Sequence, residues 1–89
     1  MSGEYDDGRP IRPDGLAIRR LRRDRGWSRR ELLEAIAEAA LRETGIRETI
    51  SPNLLEGIEE GDEAIPYSTL CRIASGLECE PVQLVAESG

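Results

Sequence analysis

The side chains of this sequence are suited to hydrogen bonding and charge pairing rather than to bond cleavage. The chain has 89 residues, among them twelve arginines, eighteen acidic residues, two cysteines and no histidine. Without histidine, and with only Cys71 and Cys79 as thiolate ligands, the usual residues assemble neither His-based catalysis nor a four-ligand zinc site. We therefore expect recognition through polar side chains, with no enzyme activity, no metal and no cofactor.

A first group of polar side chains opens a predicted helix. In Ser28-Arg29-Arg30-Glu31, the serine hydroxyl and the glutamate carboxylate can each accept a hydrogen bond from the other residue's backbone N–H, which makes a capping box. Apolar residues then recur at helical spacing to about Thr44, and Gly45 offers a stop. The pattern predicts a second helix of roughly sixteen residues whose first turn carries two arginines.

A second group opens the stretch from Ile50 to Gly61. Ser51 is a suitable N-cap, Pro52 suits the first helical position, and Gly61 can adopt the left-handed conformation that closes a helix. The apolar residues of the stretch fall at helical spacing and should face a core, which leaves facing outward Asn53, Glu56, Gly57 and Glu60. The pattern predicts a short third helix with a mainly acidic outer surface.

Three other helices complete the predicted architecture. Asp14 suits the N-cap of a first helix from about Gly15 to Arg25, with Leu16 or Ala17 on its inner face. A fourth helix should begin at Tyr67-Ser68, and a short fifth helix at Pro81. With no Phe and few aromatic residues, Leu, Ile, Val and Ala must form the core. We therefore predict an all-α domain over residues 14–89.

Composition also bears on where the protein resides. No apolar run approaches the length needed to span a membrane. The two cysteines lie in apolar helical surroundings with no signal sequence before them, so buried free thiols are expected rather than a disulfide. The expectation is a soluble, cytoplasmic protein that does not contact membranes.

Charge is divided unequally along the chain. Residues 1–47 carry eleven arginines and nine acidic residues, whereas residues 48–89 carry Arg72 alone against nine acidic residues. The two halves therefore have net charges of +2 and −8, which sum to −6. Acidic domains normally avoid nucleic acid, because Lys and Arg supply most of the non-specific affinity for phosphate. Any contact with nucleic acid must depend on the first half.

Five segments of the chain together resemble the phage-repressor, or Xre-type, helix-turn-helix family. In order they are Ile18-Arg19-Arg20-Leu21-Arg22, Gly26-Trp27-Ser28, Glu31-Leu32, Ile58-Glu59-Glu60-Gly61 and Leu70-Cys71-Arg72-Ile73-Ala74-Ser75-Gly76-Leu77. The resemblance spans about residues 15 to 85. It implies a five-helix bundle whose second and third helices bind DNA, commonly as a dimer on two half-sites. It thus implies a sequence-specific DNA-binding transcriptional regulator, with double-stranded DNA and a second copy of the chain as partners.

The resemblance also implies roles for individual residues. Ser28 and Arg29 match the family's phosphate-contacting start of the second helix. Ser51, Pro52 and Asn53 match the tip of the recognition helix, where Asn53 can bond an adenine edge.

A structural pair follows from the same resemblance. Glu59 matches the family's structural glutamate, and Arg22 matches its partner on the first helix. The pair is expected to lie at least partly out of solvent.

The segment between the second and third helices departs from the family pattern. About a dozen extra residues stand where the family has a tight turn, so the insertion is assigned to residues 38–49. It either extends the second helix outward or stands between the third helix and the groove. We predict that Gly45 reverses the chain and that Ile46 folds back over the apolar side of the extended helix.

The charge of the third helix is a second departure. Glu56 and Glu60 stand where relatives usually place polar or basic residues; one glutamate can accept a bond from a cytosine amino group, but several would repel phosphate. Two hypotheses follow. The first is the DNA-binding regulator, with affinity from Arg29, Arg30, the arginines of the first helix and the N-terminal arm. The second is a protein-interaction module on the same fold, which uses the acidic face or the insertion.

Residues 1–13 are predicted to form a flexible N-terminal arm. They are rich in Gly, Asp and Pro and show no apolar period. The arm carries Arg9 and Arg12, which a minor groove could accept, although plain disorder is the commoner outcome for such segments.

Overall fold

The described part of the chain folds into four α-helices and one 3₁₀ turn. The computed structural model describes residues 10–61 and 63–86. The helices are α1 (Gly15–Asp24), α2 (Arg29–Thr44), α3 (Pro52–Gly61) and α4 (Tyr67–Leu77), and the 3₁₀ turn is Pro81–Leu84. The all-α prediction is confirmed. The predicted fifth helix is a single 3₁₀ turn rather than an α-helix.

The helix starts follow the capping residues of the sequence. Asp14 accepts a hydrogen bond from the Ala17 N–H at 3.0 Å, and Ser28 and Glu31 form both bonds of the predicted capping box. The second helix ends as predicted at Gly45, whose φ of +82° is left-handed. Gly61 differs from the prediction, because it is the last residue of α3 and its φ is not left-handed.

A single core lies between the four helices. Its fully buried side chains come from every element: Ile18, Leu32, Ile36, Leu55, Ile58, Leu70, Ile73, Leu77 and Leu84. In α1 the structure resolves the alternative left by the sequence, because Ala17 is buried and Leu16 is 72% exposed. The core therefore consists of Leu, Ile and Ala, as the absence of Phe requires.

The extended residues before α1 pair with extended residues that follow α3 and the 3₁₀ turn. The Ile11 N–H bonds the Ile65 carbonyl at 2.6 Å, and the Ala86 N–H bonds the Arg12 carbonyl at 2.9 Å. Residues 10–13 of the predicted arm are thus held against the bundle, while residues 1–9, with Arg9, lie outside the described residues. This pairing also explains the short last helix, because Val85 must be extended to bridge Pro13.

Two glycines allow two pairs of helices to pack closely. A Cβ on Gly15 would lie 2.2 Å from the Ile58 carbonyl oxygen, so the start of α1 rests directly on the backbone of α3. A Cβ on Gly76 would lie 2.7 Å from Cγ1 of Ile36, so α4 packs equally closely on α2. At Gly15, therefore, no side chain separates α1 from α3, and α3 is held close to the core.

Candidate nucleic-acid interface

The inner side of α3 is fixed by a buried carboxylate, Glu59. Its oxygens accept hydrogen bonds from Arg22 Nε at 2.8 Å and from Arg22 Nη2 at 3.0 Å, a two-pronged pair that joins α1 to α3. Arg22 also donates from Nη1 to the Trp27 carbonyl at 2.8 Å. The structure thus brings together the pair expected from the resemblance, with the Glu59 side chain fully buried.

Glu59 also binds an arginine from α2. Arg29 Nε donates to its Oε1 at 3.1 Å, and Arg29 Nη2 bonds the carboxylate of Glu60. Burial alone would raise the pKa of Glu59, but the hydrogen bonds from Arg22 and Arg29 outweigh burial and lower it. The carboxylate is therefore held ionised, and one buried negative charge links α1, α2 and α3.

These contacts change the role available to Arg29. The resemblance implies that its guanidinium contacts phosphate, whereas in the structure two carboxylates of α3 already bind it, and their hydrogen bonds raise its pKa. A phosphate would have to compete with Glu59 and Glu60 for the same donors. The first turn of α2 still presents Ser28 and Arg30, which are both exposed.

The tip of α3 is exposed and well capped. The Ser51 hydroxyl accepts a hydrogen bond from the Leu54 N–H at 3.0 Å, which is the predicted N-cap. Ser51, Pro52 and Asn53 are all exposed. The Asn53 amide, with two donors and an acceptor, therefore stands at the start of a fixed helix and can reach a hydrogen-bonding partner in solvent.

Beyond its tip, the outer surface of α3 is acidic. Glu56 and Glu60 are exposed there, and a Cβ on Gly57 would lie 2.4 Å from Oε1 of Glu63, so that carboxylate rests against the helix. Three carboxylates thus share the surface, with Arg29 pairing to one of them. This surface repels phosphate more than the helix sequence alone indicates.

The insertion, residues 38–49, extends α2 and then returns along the bundle. Thr49 Oγ1 donates to the Leu33 carbonyl at 2.9 Å, and Glu48 pairs with Arg72 of α4 at 2.9 Å. Ala39 is fully buried within the extension. The insertion is thus attached to the bundle at its return and contributes to the core.

The apolar residues at the far end of the insertion differ from the prediction. Ile46 was expected to fold back over α2, but it is 60% exposed, and Leu41 is 43% exposed. Ile50 instead supplies the buried anchor of the returning segment. The reason is local: Thr44 Oγ1 accepts from the Ile46 N–H at 3.1 Å and holds the residue in a tight turn at the helix end.

Sequence reasoning missed two members of this site. The pairing of Arg29 with Glu59 and Glu60 joins residues about thirty positions apart, and no local pattern in the sequence indicated it. The contact of Glu63 with Gly57 was only weakly indicated by the sequence. An acidic turn follows the third helix, and Gly57 is predicted to face outward from that helix. Both contacts depend on tertiary geometry, which periodicity does not supply.

The candidate site has no known counterpart among the proteins compared with this chain, so its geometry alone supports its interpretation. No protein-family model, no curated protein and no solved structure matches this chain. Within residues 10–61 and 63–86, no group of three His, Cys, Asp or Glu side chains is placed to hold a metal ion. No α-helix among these residues has the length and apolar character needed to cross a bilayer.

Proposed function

We propose that this protein is a sequence-specific DNA-binding transcriptional regulator that reads the major groove with the first turn of α3. One observation carries the proposal: α3 is fixed from its inner side by Glu59, while its tip is left exposed. A helix that reads bases gains from such a fixed position, because little conformational freedom is lost on binding. The repressor-like order of motifs in the sequence points to the same function.

The exposed residues suggest a division of roles. Asn53 suits a two-bond contact to N6 and N7 of an adenine, which discriminates between bases. Ser28 and Ser51, at the starts of α2 and α3, suit contacts to the sugar–phosphate backbone, which set position rather than sequence. Arg30 is exposed near Ser28 and can supply the positive charge for phosphate, because Arg29 is bound by the carboxylates of Glu59 and Glu60.

The acidic surface of α3 should lower the non-specific affinity for DNA. Glu56 and Glu60 repel phosphate, so non-specific affinity should be low at physiological salt, where the Debye length is about 8 Å. Binding then depends on base contacts more than in a basic relative. Glu56 can take part if it accepts from a cytosine amino group.

A titration against duplex DNA tests the proposal. The protein is titrated with a random duplex library at several salt concentrations, bound molecules are recovered, and the enriched duplexes are titrated again. We expect one enriched sequence class whose binding weakens as salt rises. Failure to bind any duplex even at low salt would refute the proposal, and so would equal binding to all sequences.

Variants separate the assigned roles. Asn53→Ala should relax the preference for one base position, because it removes a base contact. Arg30→Ala should weaken binding to all duplexes alike and flatten the salt dependence. Arg42→Ala is the matched control, because Arg42 is an exposed arginine in the last turn of α2. Equal effects from Arg30→Ala and Arg42→Ala would contradict a contact at Arg30.

A second candidate function, a protein-interaction module, is favoured by the uncovered apolar residues of the insertion. Leu41 and Ile46 are exposed at the end of α2 that carries Gly45. If they form an interface with a second copy, sedimentation should show a dimer that Leu41→Ser with Ile46→Ser converts into a monomer. A wild-type monomer across a wide concentration range would exclude that interface.

A further inference from the structure

The outer face of α1 carries a basic groove that the proposed DNA contacts do not use. The groove has a volume of about 670 Å³. The described residues that line it, which we call the α1 groove, are Leu16, Arg19, Arg20, Arg23 and Asp24. Three arginines and one aspartate give the α1 groove a net charge of +2. None of the residues proposed to contact DNA belongs to it.

The fold does not use the positive charge of the α1 groove. None of the salt bridges among residues 10–61 and 63–86 includes Arg19, Arg20 or Arg23. Arg23 lies in the last turn of α1, where positive charge suits the helix dipole, but Arg19 and Arg20 lie in the middle of the helix. Like charges three or four positions apart on a helix repel each other. The cluster therefore lowers the stability of α1, and no ion pair in the described residues compensates for it.

One of these arginines has an unsatisfied donor. The Nε of Arg19 is buried and has no hydrogen-bond partner within the described residues, which is rare because it costs stability. Arg22 shows how a guanidinium is usually satisfied, since the Glu59 carboxylate accepts from its Nε and Nη2 together. The α1 groove therefore favours a ligand with anionic oxygens.

Carboxylates limit the length of the basic surface at both ends. Asp24 ends the α1 groove on one side. On the other side, Leu16 also lines a second hollow, which it shares with Asp14 and Glu60. Leu16 and Asp24 are eight positions apart, which is a rise of about 12 Å along α1. A nucleic-acid strand, negative along its whole length, would meet these carboxylates, whereas a short anionic segment would not.

The exposed leucine indicates that the ligand is also partly apolar. Leu16 is 72% exposed. It lies four positions before Arg20 and seven before Arg23, so the three residues share one side of the helix. Phosphate and sugar would leave the leucine uncovered, whereas an acidic peptide with one large apolar side chain would cover it. Arginine is also enriched in protein–protein interfaces.

We propose that the α1 groove binds a short acidic segment of a partner protein, with carboxylates on its arginines and one large apolar side chain on Leu16. A length of about 12 Å accommodates roughly four residues of an extended chain or two turns of a helix. The partner is a different protein, because two copies that each carry a net charge of −6 repel each other. The contact does not depend on DNA, so its failure would leave the proposed function untouched.

Peptide selection tests the proposal. The immobilised full-length protein is panned at low salt against a displayed library of random short peptides, and the enriched peptides are synthesised and titrated. We expect enrichment of peptides that combine Asp or Glu with one large apolar residue. Their binding should weaken as salt rises, because exposed charges are screened. In NMR titrations the backbone amide signals of Leu16, Arg20 and Arg23 should shift.

Charge variants locate the binding site. Arg20→Gln with Arg23→Gln should weaken binding of the enriched peptides by about tenfold, because each exposed ion pair contributes up to about fivefold. The matched control, Arg42→Gln with Arg72→Gln, removes two exposed arginines elsewhere. It should stay within about twofold of the wild type at physiological salt, where charges more than about 8 Å away are largely screened. Both variants should retain the helical circular dichroism of the wild type, because all four side chains are exposed.

The apolar contact has its own variant. Leu16→Ser should weaken binding of the enriched peptides by about threefold to tenfold, because the ligand would no longer cover a leucine side chain. Val82→Ser is the control, because Val82 is 74% exposed and is not among the residues that line the α1 groove. Equal losses from the two variants would contradict an apolar contact at Leu16.

Four outcomes would overturn the proposal. The first is a selection that enriches no acidic peptide. The second is equal binding of the enriched peptides to the wild type and to the Arg20→Gln, Arg23→Gln variant. The third is a shift of the α1 amide signals by random duplex DNA when no peptide shifts them, which would assign the groove to phosphate. The fourth is self-association in sedimentation that Arg20→Gln with Arg23→Gln removes, which would assign the groove to a second copy.

Discussion

At the residue scale, Glu59 determines how α3 is held. A fully buried carboxylate is costly unless donors surround it, and here Arg22 and Arg29 approach it from two different helices. The two arginines are not equivalent, because the Arg22 side chain is 9% exposed and that of Arg29 is 32% exposed. Without Glu59, the buried guanidinium of Arg22 would lose its ionic partner, whereas the guanidinium of Arg29 could be hydrated.

This asymmetry gives the first prediction. Glu59→Gln should lower the free energy of unfolding by about 3–5 kcal/mol, the usual cost of breaking a buried pair from one side. Arg22→Met should cost less, because Arg29 still neutralises Glu59. The double variant should be more stable than the sum of the two losses predicts, as urea unfolding of all four proteins would show. Simple additivity would mean that the pair contributes no coupling.

The lowered pKa of Glu59 leads to a second prediction, on pH dependence. Because the folded-state pKa lies below the unfolded value of about 4.3, ionised Glu59 stabilises the fold fully above that value. The contribution disappears as pH falls through the folded-state pKa. Wild type should therefore lose more stability than Glu59→Gln between about pH 4.3 and more acidic conditions, in urea unfolding at each pH. Parallel curves for the two proteins would contradict this assignment.

The sequence predicted part of this network. Arg22 and Glu59 were paired through the resemblance, and the structure places them in contact. Arg29 was assigned to phosphate because its position at a helix start suits that role, and nothing local indicated that Glu60 would meet it. Local patterns describe which residues a helix exposes, but the partner of an exposed charge depends on where the other helices lie.

At the element scale, the start of α1 rests directly on the backbone of α3. Gly15→Ala would place a methyl group 2.2 Å from the Ile58 carbonyl oxygen, so α1 must move away from α3. We expect a loss of about 1–3 kcal/mol in the free energy of unfolding, typical of overpacking. Gly61→Ala is the control, because its Cβ would meet no atom within 4 Å. Similar melting temperatures for the two variants would show that the contact is not tight.

The insertion gives a prediction of one nearly neutral and one destabilising change. Leu41→Gln with Ile46→Gln should change the free energy of unfolding of the monomer by no more than about 0.5 kcal/mol, because both side chains are exposed. Ala39→Leu should destabilise strongly, since Ala39 is fully buried on the same helix. Thermal unfolding followed by circular dichroism measures both. A large loss in the Leu41 and Ile46 variant would show that these residues are covered.

The elements themselves were largely predictable, for physical reasons that differ from one to the next. The bounds of α2 follow from the capping box and from Gly45, which are local signals. The last helix was overestimated because Pro81 marks a helix start but gives no length, and its length is limited by the pairing of Val85 with Pro13. Ile46 was misplaced because periodicity shows that an apolar stripe exists but not what covers it.

At the scale of the whole molecule, basic and acidic side chains lie on neighbouring helices. Helix α1 carries Arg19, Arg20 and Arg23, and none of the salt bridges within residues 10–61 and 63–86 includes them. The outer surface of α3 carries the exposed carboxylates of Glu56 and Glu60. Because the proposed reading helix is the acidic one, the strongest test of the proposed function lies on α3.

The acidic face supplies the last prediction, which depends on DNA being the ligand. Glu56→Gln with Glu60→Gln removes two charges from the surface of α3, and the second change also frees the Arg29 Nη2 now bound to Glu60. Two unit charges about 4 Å apart in water interact by about 1 kcal/mol, so affinity for duplex DNA should rise roughly fivefold or more at low salt. The salt dependence should steepen, because Arg29 becomes available to phosphate. Glu43→Gln, which neutralises an exposed carboxylate on the last turn of α2, controls for net charge. If that control gained as much per charge, the effect would come from overall charge, and α3 would not face the DNA.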